Sequence, residues 1–193
     1  MANTAPTFGL GDGIVTTAIG SSHEEARGVV IQPDGKILIS GQRFDGTNWD
    51  TVVLRYNADG SLDTSFGNGD GITITSVGSS SDFGWSIALQ PDGKILIGGE
   101  VRPGSVGFND YGLVRYNSDG TLDTTFGGGD GIVTTSVAMN DAAVSIAVQP
   151  DGKILLGGHH THACPLSSGA FCGYMSTTKE LSHDAHDAGG SVA

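Results

Sequence analysis

Positive charge is scarce in this chain. Of its 193 residues, 9 are Lys or Arg and 21 are Asp or Glu, so the formal net charge at pH 7 is −12. A surface that binds phosphates needs clustered cationic side chains, and nucleic acid is therefore not an expected partner. The same acidity disfavours attraction to anionic membranes and is compatible with cation binding.

Long apolar runs and cysteines are also missing from most of the sequence. No segment approaches the roughly 20 apolar residues that cross a membrane as a helix. Residues 1–8 lack the charged start and apolar core of a signal peptide. The two cysteines, Cys164 and Cys172, follow the regular part of the sequence, so that part is expected to contain no disulfide.

Glycine, by contrast, is abundant, with 32 residues, and one glycine-containing phrase occurs three times. The phrase Gln-Pro-Asp-Gly-Lys-Ile-Leu begins at Gln32, Gln90 and Gln149. Pro fixes its own φ, Asp can bind nearby backbone amides, and Gly adopts the positive φ that other residues resist. With apolar residues on both sides, each copy predicts a β-hairpin. A recurrence at about 60 residues is typical of a repeat architecture.

A second phrase, Phe-Gly-x-Gly-Asp-Gly-Ile, marks copies that start near residues 8, 66 and 126. A β-branched run follows each of them and predicts a strand. The other predicted strands precede the Pro-Asp-Gly turn, follow it, or end in Arg-Tyr. The predicted strands are residues 14–17, 72–75 and 132–135; 28–31, 85–89 and 144–148; 36–39, 94–97 and 153–156; and 51–56 and 111–116. Four short strands in each 60-residue copy predict an all-β fold with one four-stranded antiparallel sheet per copy.

These phrases, together with Arg-Tyr-Asn-x-Asp-Gly-[Ser/Thr]-Leu-Asp, resemble the delta-60 repeat of bacterial surface and secreted proteins. The resemblance covers residues 8 to about 158. It implies propeller blades similar in style to the NHL type, an extracellular or cell-surface location in a bacterium, and no enzymatic activity common to the repeat. We therefore expect residues 1–158 to form a partial β-propeller of about two and a half four-stranded antiparallel blades.

Residues 159–193 depart from the repeat and are expected to form a separate, irregular C-terminal tail. They contain five of the six histidines and both cysteines, and no Arg-Tyr-Asn ending. The nearest strand candidate, residues 169–175, contains two glycines, which weaken a strand. We expect residues 163–176 to lie against the last blade as a loop or irregular strand. Residues 177–193 are expected to add little stability.

The acidic turns are one candidate metal site, because Ca²⁺ binds six to eight carboxylate and carbonyl oxygens. The same Asp side chains are suited to binding their own turn amides. The EF-hand pattern fails, since Arg55 and Phe66 occupy its first and twelfth positions. The candidate Ca²⁺ ligands are Asp59, Asp63, Asp70, Asp119, Asp123 and Asp130.

The tail is the second candidate metal site, because Zn²⁺ accepts Cys and His ligands. Its ligand types do not form a Cys-x2-Cys or His-Glu-x2-His spacing. A Cys164–Cys172 disulfide and two free thiols are the alternatives. The candidate Zn²⁺ ligands are His159, His160, His162, Cys164, Cys172, His183 and His186. The pattern requires no cofactor.

Turns and core account for the recurrent residues, so binding specificity is expected in the loops that differ between copies, residues 42–50 and 100–110. We predict a non-catalytic scaffold for a protein or carbohydrate ligand, with candidate contacts at Phe44, Trp49, Arg102 and Phe108. A hydrolase or lyase with a metal-assisted site on one propeller face is the alternative. It requires acidic or His side chains from different blades to converge. A metal-binding protein is a second alternative.

An open array of blades exposes an apolar face at each end. We therefore predict that the chain either self-associates or is part of a larger parent propeller, since propellers usually close with four to eight blades.

Overall fold

The described part of the chain is built from β-strands. A computed structural model describes residues 8–9, 11–20, 23–104, 107–163 and 171–181. These residues form eleven strands in three antiparallel sheets, with one short 3-10 turn at residues 127–129. Across the described ranges, no helix is long and apolar enough to cross a membrane.

Each sheet takes its strands in chain order. Sheet A contains β1 (Glu24–Ile31), β2 (Ile37–Phe44), β3 (Trp49–Tyr56) and β4 (Ile72–Thr75). Sheet B contains β5 (Asp82–Leu89), β6 (Ile95–Val101), β7 (Asp110–Tyr116) and β8 (Ile132–Thr135). Sheet C contains β9 (Met139–Val148), β10 (Ile154–Ala163) and β11 (Phe171–Leu181). The predicted all-β partial propeller is confirmed.

The Pro-Asp-Gly phrase forms the predicted hairpin turn between the first two strands of each sheet. Gly35 has φ +86°, and its N–H donates to the Gln32 carbonyl at 2.9 Å. The Asp34 carboxylate accepts the Lys36 N–H at 3.1 Å. The same turn recurs at Gly93 and Gly152, so the sequence itself determines three hairpins.

The β-branched runs do not join the sheets of their own copies. Residues 72–75 pair with β3 of the preceding copy, with Leu54 opposite Ile72, and residues 132–135 pair with β7 in the same way. Residues 14–17 form no strand, so that prediction is wrong. A strand needs a neighbouring strand for its backbone hydrogen bonds, and within the described ranges none pairs with this segment.

The sheets pack face to face through two apolar cores. Between sheets A and B lie Leu38 and Val53 on one side and Ile95, Ile97, Val114 and Tyr116 on the other. Between sheets B and C lie Leu96 and Leu113 against Ala143, Ile154 and Leu156. Consecutive residues of β6 are therefore buried on both of its faces, as expected for a strand inside stacked sheets.

The outer face of sheet A, turned away from sheet B, carries a third apolar cluster. Val52, Leu54 and Tyr56 lie in it, with Val15 and Ile19 of the N-terminal segment packed against them. The sheets therefore stack in the order A, B, C.

The prediction of an irregular tail is wrong for residues 171–181. Strand β11 pairs antiparallel with β10 from Ile154 opposite Leu181 to Thr161 opposite Tyr174, in the position that β3 and β7 occupy in their sheets. The edge of β10 offers a continuous row of backbone partners, and this tertiary context overrides the poor strand propensity of Gly173. Of the predicted tail ligands, Cys164, His183 and His186 lie outside the described residues.

Candidate functional site

The strand connections divide the candidate sites between two ends of the sheets. The Gln-Pro-Asp-Gly and Asn-x-Asp-Gly turns lie at one end, with the predicted acidic residues. The β2–β3 and β6–β7 hairpins lie at the other end, with the predicted partner contacts. We call these the turn end and the hairpin end.

A continuous row of aromatic rings crosses from sheet A to sheet B at the hairpin end. The ring centroids of Phe44 and Trp49 are 5.5 Å apart, those of Trp49 and Phe83 are 6.1 Å apart, and those of Phe83 and Trp85 are 5.9 Å apart. The Arg27 guanidinium carbon lies 4.7 Å from the centroid of the Trp85 ring. We call the four rings the aromatic row. Offset and tilted ring pairs at these distances stabilise one another.

The strand register explains how the row forms. Phe44 and Trp49 are opposite each other where β2 and β3 are joined, so their rings lie side by side. On β5 the register shifts between Gly84 and Ser86, which makes Trp85 an extra residue of a β-bulge. Arg27 occupies the corresponding bulge of β1. Bulges redirect the side chain of the extra residue, and here they bring Arg27 and Trp85 together.

The second hairpin lies beside the first. The Trp49 N–H donates to Ser81 Oγ at 3.2 Å, and the Arg102 N–H donates to the Ser81 carbonyl at 3.1 Å. Arg102 Nε donates to the Asn109 side-chain oxygen at 3.0 Å, and 42% of Phe108 is exposed. Ser81 thus holds both predicted loops at one edge.

Among the predicted partner contacts, Phe44 and Trp49 touch each other, whereas Arg102 and Phe108 belong to the neighbouring hairpin. Phe83, Trp85 and Arg27 were not predicted from the sequence. Their signal was a difference between copies: Trp85 stands where the other copies have Arg27 and Val144. A bulky aromatic residue at a position that varies between repeats indicates a feature specific to one blade.

The hairpin end also holds carboxylates with raised pKa values. Burial raises the pKa of Asp82, which is fully buried, and the charge of Asp50 raises it further. Asp82 Oδ2 accepts the N–H groups of Val77 and Gly78 at 2.7 and 2.9 Å. Asp141 Oδ2 likewise accepts the Val137 N–H at 2.7 Å. These carboxylates hold the links between sheets in place.

A second pair of carboxylates, the half-buried Asp110 and the buried Asp141, lies between sheets B and C. Burial raises the pKa of Asp110, a hydrogen bond from Ser136 lowers it, and the charge of Asp141 raises it. Burial also raises the pKa of Glu100 on β6. Two pairs of carboxylates from adjacent sheets therefore lie close together, Asp50 with Asp82 and Asp110 with Asp141. Throughout the described ranges, no group of three or more His, Cys, Asp or Glu side chains is placed to hold a metal ion.

At the turn end, Asp63 and Asp123 are each held by two cations. Asp63 Oδ2 lies 2.8 Å from Arg55 Nε and 3.2 Å from Lys36 Nζ. Asp123 Oδ2 lies 2.7 Å from Arg115 Nε and 2.6 Å from Lys94 Nζ.

These contacts determine the protonation of both carboxylates. Burial by itself would raise the pKa of Asp63. Hydrogen bonds from Ser65 and Lys36 and the charge of Arg55 outweigh burial and hold this pKa well below its usual range. The balance is the same for the pKa of Asp123, with Lys94, Thr125 and Arg115 as partners. Both groups therefore neutralise buried arginines.

The other predicted Ca²⁺ ligands bind their own turns. Asp59 and Asp119 each accept the N–H two residues ahead at 2.9 Å, and Asp70 and Asp130 do so at 3.0 and 2.9 Å. A side-chain hydrogen bond from Ser61 and its backbone N–H lower the pKa of Asp59. These contacts are the turn role that the sequence also allowed.

The predicted Zn²⁺ ligands within the described ranges are spread over two strands. His159, His160 and His162 follow one another along β10, and Cys172 lies on β11. His160 is 5% exposed. Where side chains are described, these residues contribute to no metal-holding group.

Comparison with known families adds one finding. Residues 32–66 and 90–126 match the family described as a domain of unknown function (DUF5122) beta-propeller. These two segments are β-propeller repeats. No curated protein matches the chain. The finer name, delta-60 repeat, stays a prediction.

Only part of the aromatic row lies within the two segments that match the family. Phe44 and Trp49 lie within the first matched segment, whereas Arg27, Phe83 and Trp85 lie outside both. The matched segments cover the Pro-Asp-Gly turn, the two following strands and the Phe-Gly phrase, which form turns and core. The matched family segments therefore include one half of the aromatic row, Phe44 and Trp49, and leave out the other half, Phe83 and Trp85.

Proposed function

We propose that this protein is a non-catalytic binding scaffold whose partner contacts the hairpin end of sheets A and B. The aromatic row carries this proposal: four rings from two propeller blades form one continuous, half-buried surface. Rigid aromatic residues and Arg dominate the binding energy of protein interfaces. Phe108 and Arg102 extend this surface along the next hairpin, and both are exposed.

Of the two predicted ligand classes, protein and carbohydrate, the aromatic row favours a protein. A carbohydrate-binding platform presents open ring faces to the sugar. Here the rings use much of their faces on one another: Phe83 stacks on Trp85 with an interplanar angle of 26°, and Arg27 lies over the Trp85 ring. The four rings are half-buried and adjoin polar hairpin atoms such as Ser81 Oγ, a combination suited to protein side chains.

Two further elements belong to the proposal. The resemblance to a repeat of secreted proteins supports an extracellular or cell-surface location. The open outer faces support self-association or membership of a larger parent propeller. The hydrolase or lyase alternative is not part of the proposal, because the buried Asp82 and Asp141 bind the backbone of the links between blades.

Panning a random peptide library on the immobilised protein, beside a glycan array, tests the function. We expect enriched peptides whose affinity falls at least tenfold when Phe44, Trp49, Arg102 and Phe108 are all replaced by Ser. Asp92→Ser is the control, since Asp92 is exposed in a turn at the turn end and belongs to neither proposed contact surface. Far-UV circular dichroism verifies that both variants keep their β content. Peptides that bind both variants equally, or binding to glycans alone, would contradict the proposal.

A further inference from the structure

One edge of sheet C has no partner strand in the described part of the chain. In sheets A and B, a short fourth strand follows the third: Leu54 is opposite Ile72, and Val114 is opposite Ile132. Strand β11 holds the third position in sheet C and pairs with β10 alone. Residues 182–193 contain a single β-branched residue, Val192, whereas all four residues of β4 and of β8 are β-branched.

A segment with the sequence of a fourth strand lies on the outer face of sheet A. Residues 14–17 correspond in sequence to β4 and β8. They contact sheet A as β4 contacts sheet B: Tyr56 Oη donates to Thr17 Oγ1 at 2.8 Å, and Tyr116 Oη donates to Thr75 Oγ1 at 2.7 Å. This segment therefore sits where the last strand of a preceding blade would sit, but no described strand pairs with it.

The Phe-Gly phrase before this segment also contacts sheet A as its next copy contacts sheet B. The Gly9 N–H donates to the Asp59 carbonyl at 2.9 Å, as the Gly67 N–H donates to the Asp119 carbonyl at 2.8 Å. The N-terminal segment is thus docked on sheet A in the manner of an interface between blades, although no described strand pairs with it.

The outer face of sheet A also exposes apolar side chains. Val29 and Ile31 are 64% and 68% exposed. The corresponding residues of sheet B, Ile87 and Leu89, pack into the core between sheets A and B. Beside the N-terminal segment, an open cavity of about 370 Å³ is lined mainly by apolar residues, including Val15, Ile37, Ile39, Val52, Leu54 and Tyr56.

The face of sheet C turned away from sheet B offers the complementary shape. In sheet B, Gly98 lets Ile146 pack closely, since a Cβ on Gly98 would lie 2.9 Å from Ile146 Cγ1. Gly157 is the corresponding glycine of sheet C, and among the described side chains a Cβ there would meet Ser145 Cβ alone, at 3.8 Å. Val29 corresponds to Ile146. No described side chain fills the Gly157 site, and Val29, the counterpart of the side chain that fills the Gly98 site, is exposed at the opposite end of the stack.

We propose that two copies of this chain close into a six-bladed ring, in which sheet C of each copy packs on the outer face of sheet A of the other. Residues 14–17 of one copy add to β11 of the other as its fourth strand. The registers of sheets A, B and C fix the pairing: Ile14 opposite Lys179, Val15 opposite Thr178, Thr16 opposite Thr177, and Thr17 opposite Ser176.

This proposal deepens the self-association part of the proposed function and does not involve the aromatic row. The contact joins two different surfaces, so a pair of copies can close only if the rotation between blades suits a ring. Six blades fall within the usual range of four to eight for closed propellers. In the proposed ring, the second copy supplies a sheet for the outer face of sheet A, a side chain for the Gly157 site and a strand for the edge of β11.

A cysteine cross-link tests the register directly. In a Cys164→Ser, Cys172→Ser background, Thr16→Cys combined with Thr177→Cys should form a disulfide-linked dimer on non-reducing gels. Thr16→Cys combined with Thr178→Cys is the matched control, because a shift of one residue turns the side chain to the opposite face of the strand. Sheet B separates the two sites within one copy, so a cross-link reports contact between copies.

Light scattering supplies the second measurement. The wild-type protein should have about twice the chain mass of 19.6 kDa. Val29→Asp with Ile31→Asp should return it to a monomer, whereas Phe108→Asp should leave it dimeric. A wild-type monomer without the cross-link would overturn the proposal. So would a dimer that the Val29 and Ile31 changes leave intact, or an open series of larger oligomers. Loss of peptide binding at the aromatic row would not affect any of these readouts.

Discussion

Ile146 of β9 packs directly on the backbone of Gly98 in β6, and this contact defines the interface between sheets B and C. A Cβ on Gly98 would lie 2.9 Å from Ile146 Cγ1 and 3.0 Å from Ser86 Oγ. Gly98→Ala should therefore destabilise the fold by about 1–3 kcal/mol, the usual cost of overpacking. Gly157→Ala is the matched control and should be nearly neutral in the monomer, because the described side chains leave the space beside Gly157 open. Urea unfolding of dilute protein measures both. Equal losses would show that the glycines matter only for backbone flexibility.

The buried pair of Arg115 and Asp123 gives the second prediction. Arg115 is 2% exposed, and Asp123→Asn removes the negative charge that lies 2.7 Å from the Nε of this buried guanidinium. Asp123→Asn should lower the free energy of unfolding by roughly 3 kcal/mol, at the lower end of the range for breaking a buried pair. Asp119→Asn removes an exposed turn carboxylate and should cost much less. Thermal unfolding measures both variants. Similar melting temperatures would show that the Arg115–Asp123 pair adds no stability.

The same carboxylates make stability depend on pH. The pKa values of Asp63 and Asp123 lie below their unfolded values, near 3.9. On acidification the unfolded chain binds protons first, so their contribution is present above the unfolded pKa and is lost as pH falls through the folded pKa. Urea unfolding between pH 6 and pH 3 should show stability falling less steeply in Asp123→Asn than in wild type. If stability falls equally with pH in the two proteins, Asp123 does not contribute to the pH dependence.

Asp82 acts with the opposite sign. Burial raises its folded pKa above the unfolded value, so the folded chain holds the proton longer as pH rises. Its effect is a loss of stability as pH rises from the unfolded pKa to the folded pKa. Urea unfolding of Asp82→Asn over the same pH range separates the two effects, because removing the Asp82 carboxyl should remove a loss of stability as pH rises, whereas removing Asp123 should remove a gain.

The repeating phrases predicted most of the fold, because turn chemistry is local. Pro-Asp-Gly specifies the same hairpin in each copy whatever surrounds it. The β-branched run was less informative: residues 72–75 become a strand beside β3, while residues 14–17, with similar composition, do not. Strand formation depends on a neighbouring edge, and that information lies elsewhere in the chain.

The site was predicted in part for a related reason. Phe44 and Trp49 flank a hairpin loop, and their contact follows from short-range pairing. Their link to Phe83 and Trp85 depends on packing between sheets and on a bulge in β5, which a residue pattern of period two does not reveal. The acidic residues were identified, but the choice between turn contacts and a cation site required their atomic neighbours.

Strand β11 gives the next prediction, since the sequence indicated that residues 177–193 add little stability. Thr178 pairs with Gly157 near the middle of the β10–β11 ladder. Thr178→Pro removes a backbone donor and restricts φ, so it should lower the melting temperature by several degrees. Thr178→Val keeps the strand and should not. Hydrogen exchange of the β10 amides reports the same loss, and unchanged protection in the proline variant would mean that the sheet does not need β11.

The most direct test of the binding surface uses tryptophan fluorescence. The chain has two tryptophans, Trp49 and Trp85, and both lie in the aromatic row. Acrylamide quenching is measured with and without a saturating peptide from the library, in wild type and in Trp49→Phe and Trp85→Phe. Because the partner is expected to cover the row, peptide binding should shift the emission and reduce quenching in all three proteins. A peptide that saturates the protein and leaves the emission and quenching of both tryptophans unchanged would contradict the proposed site.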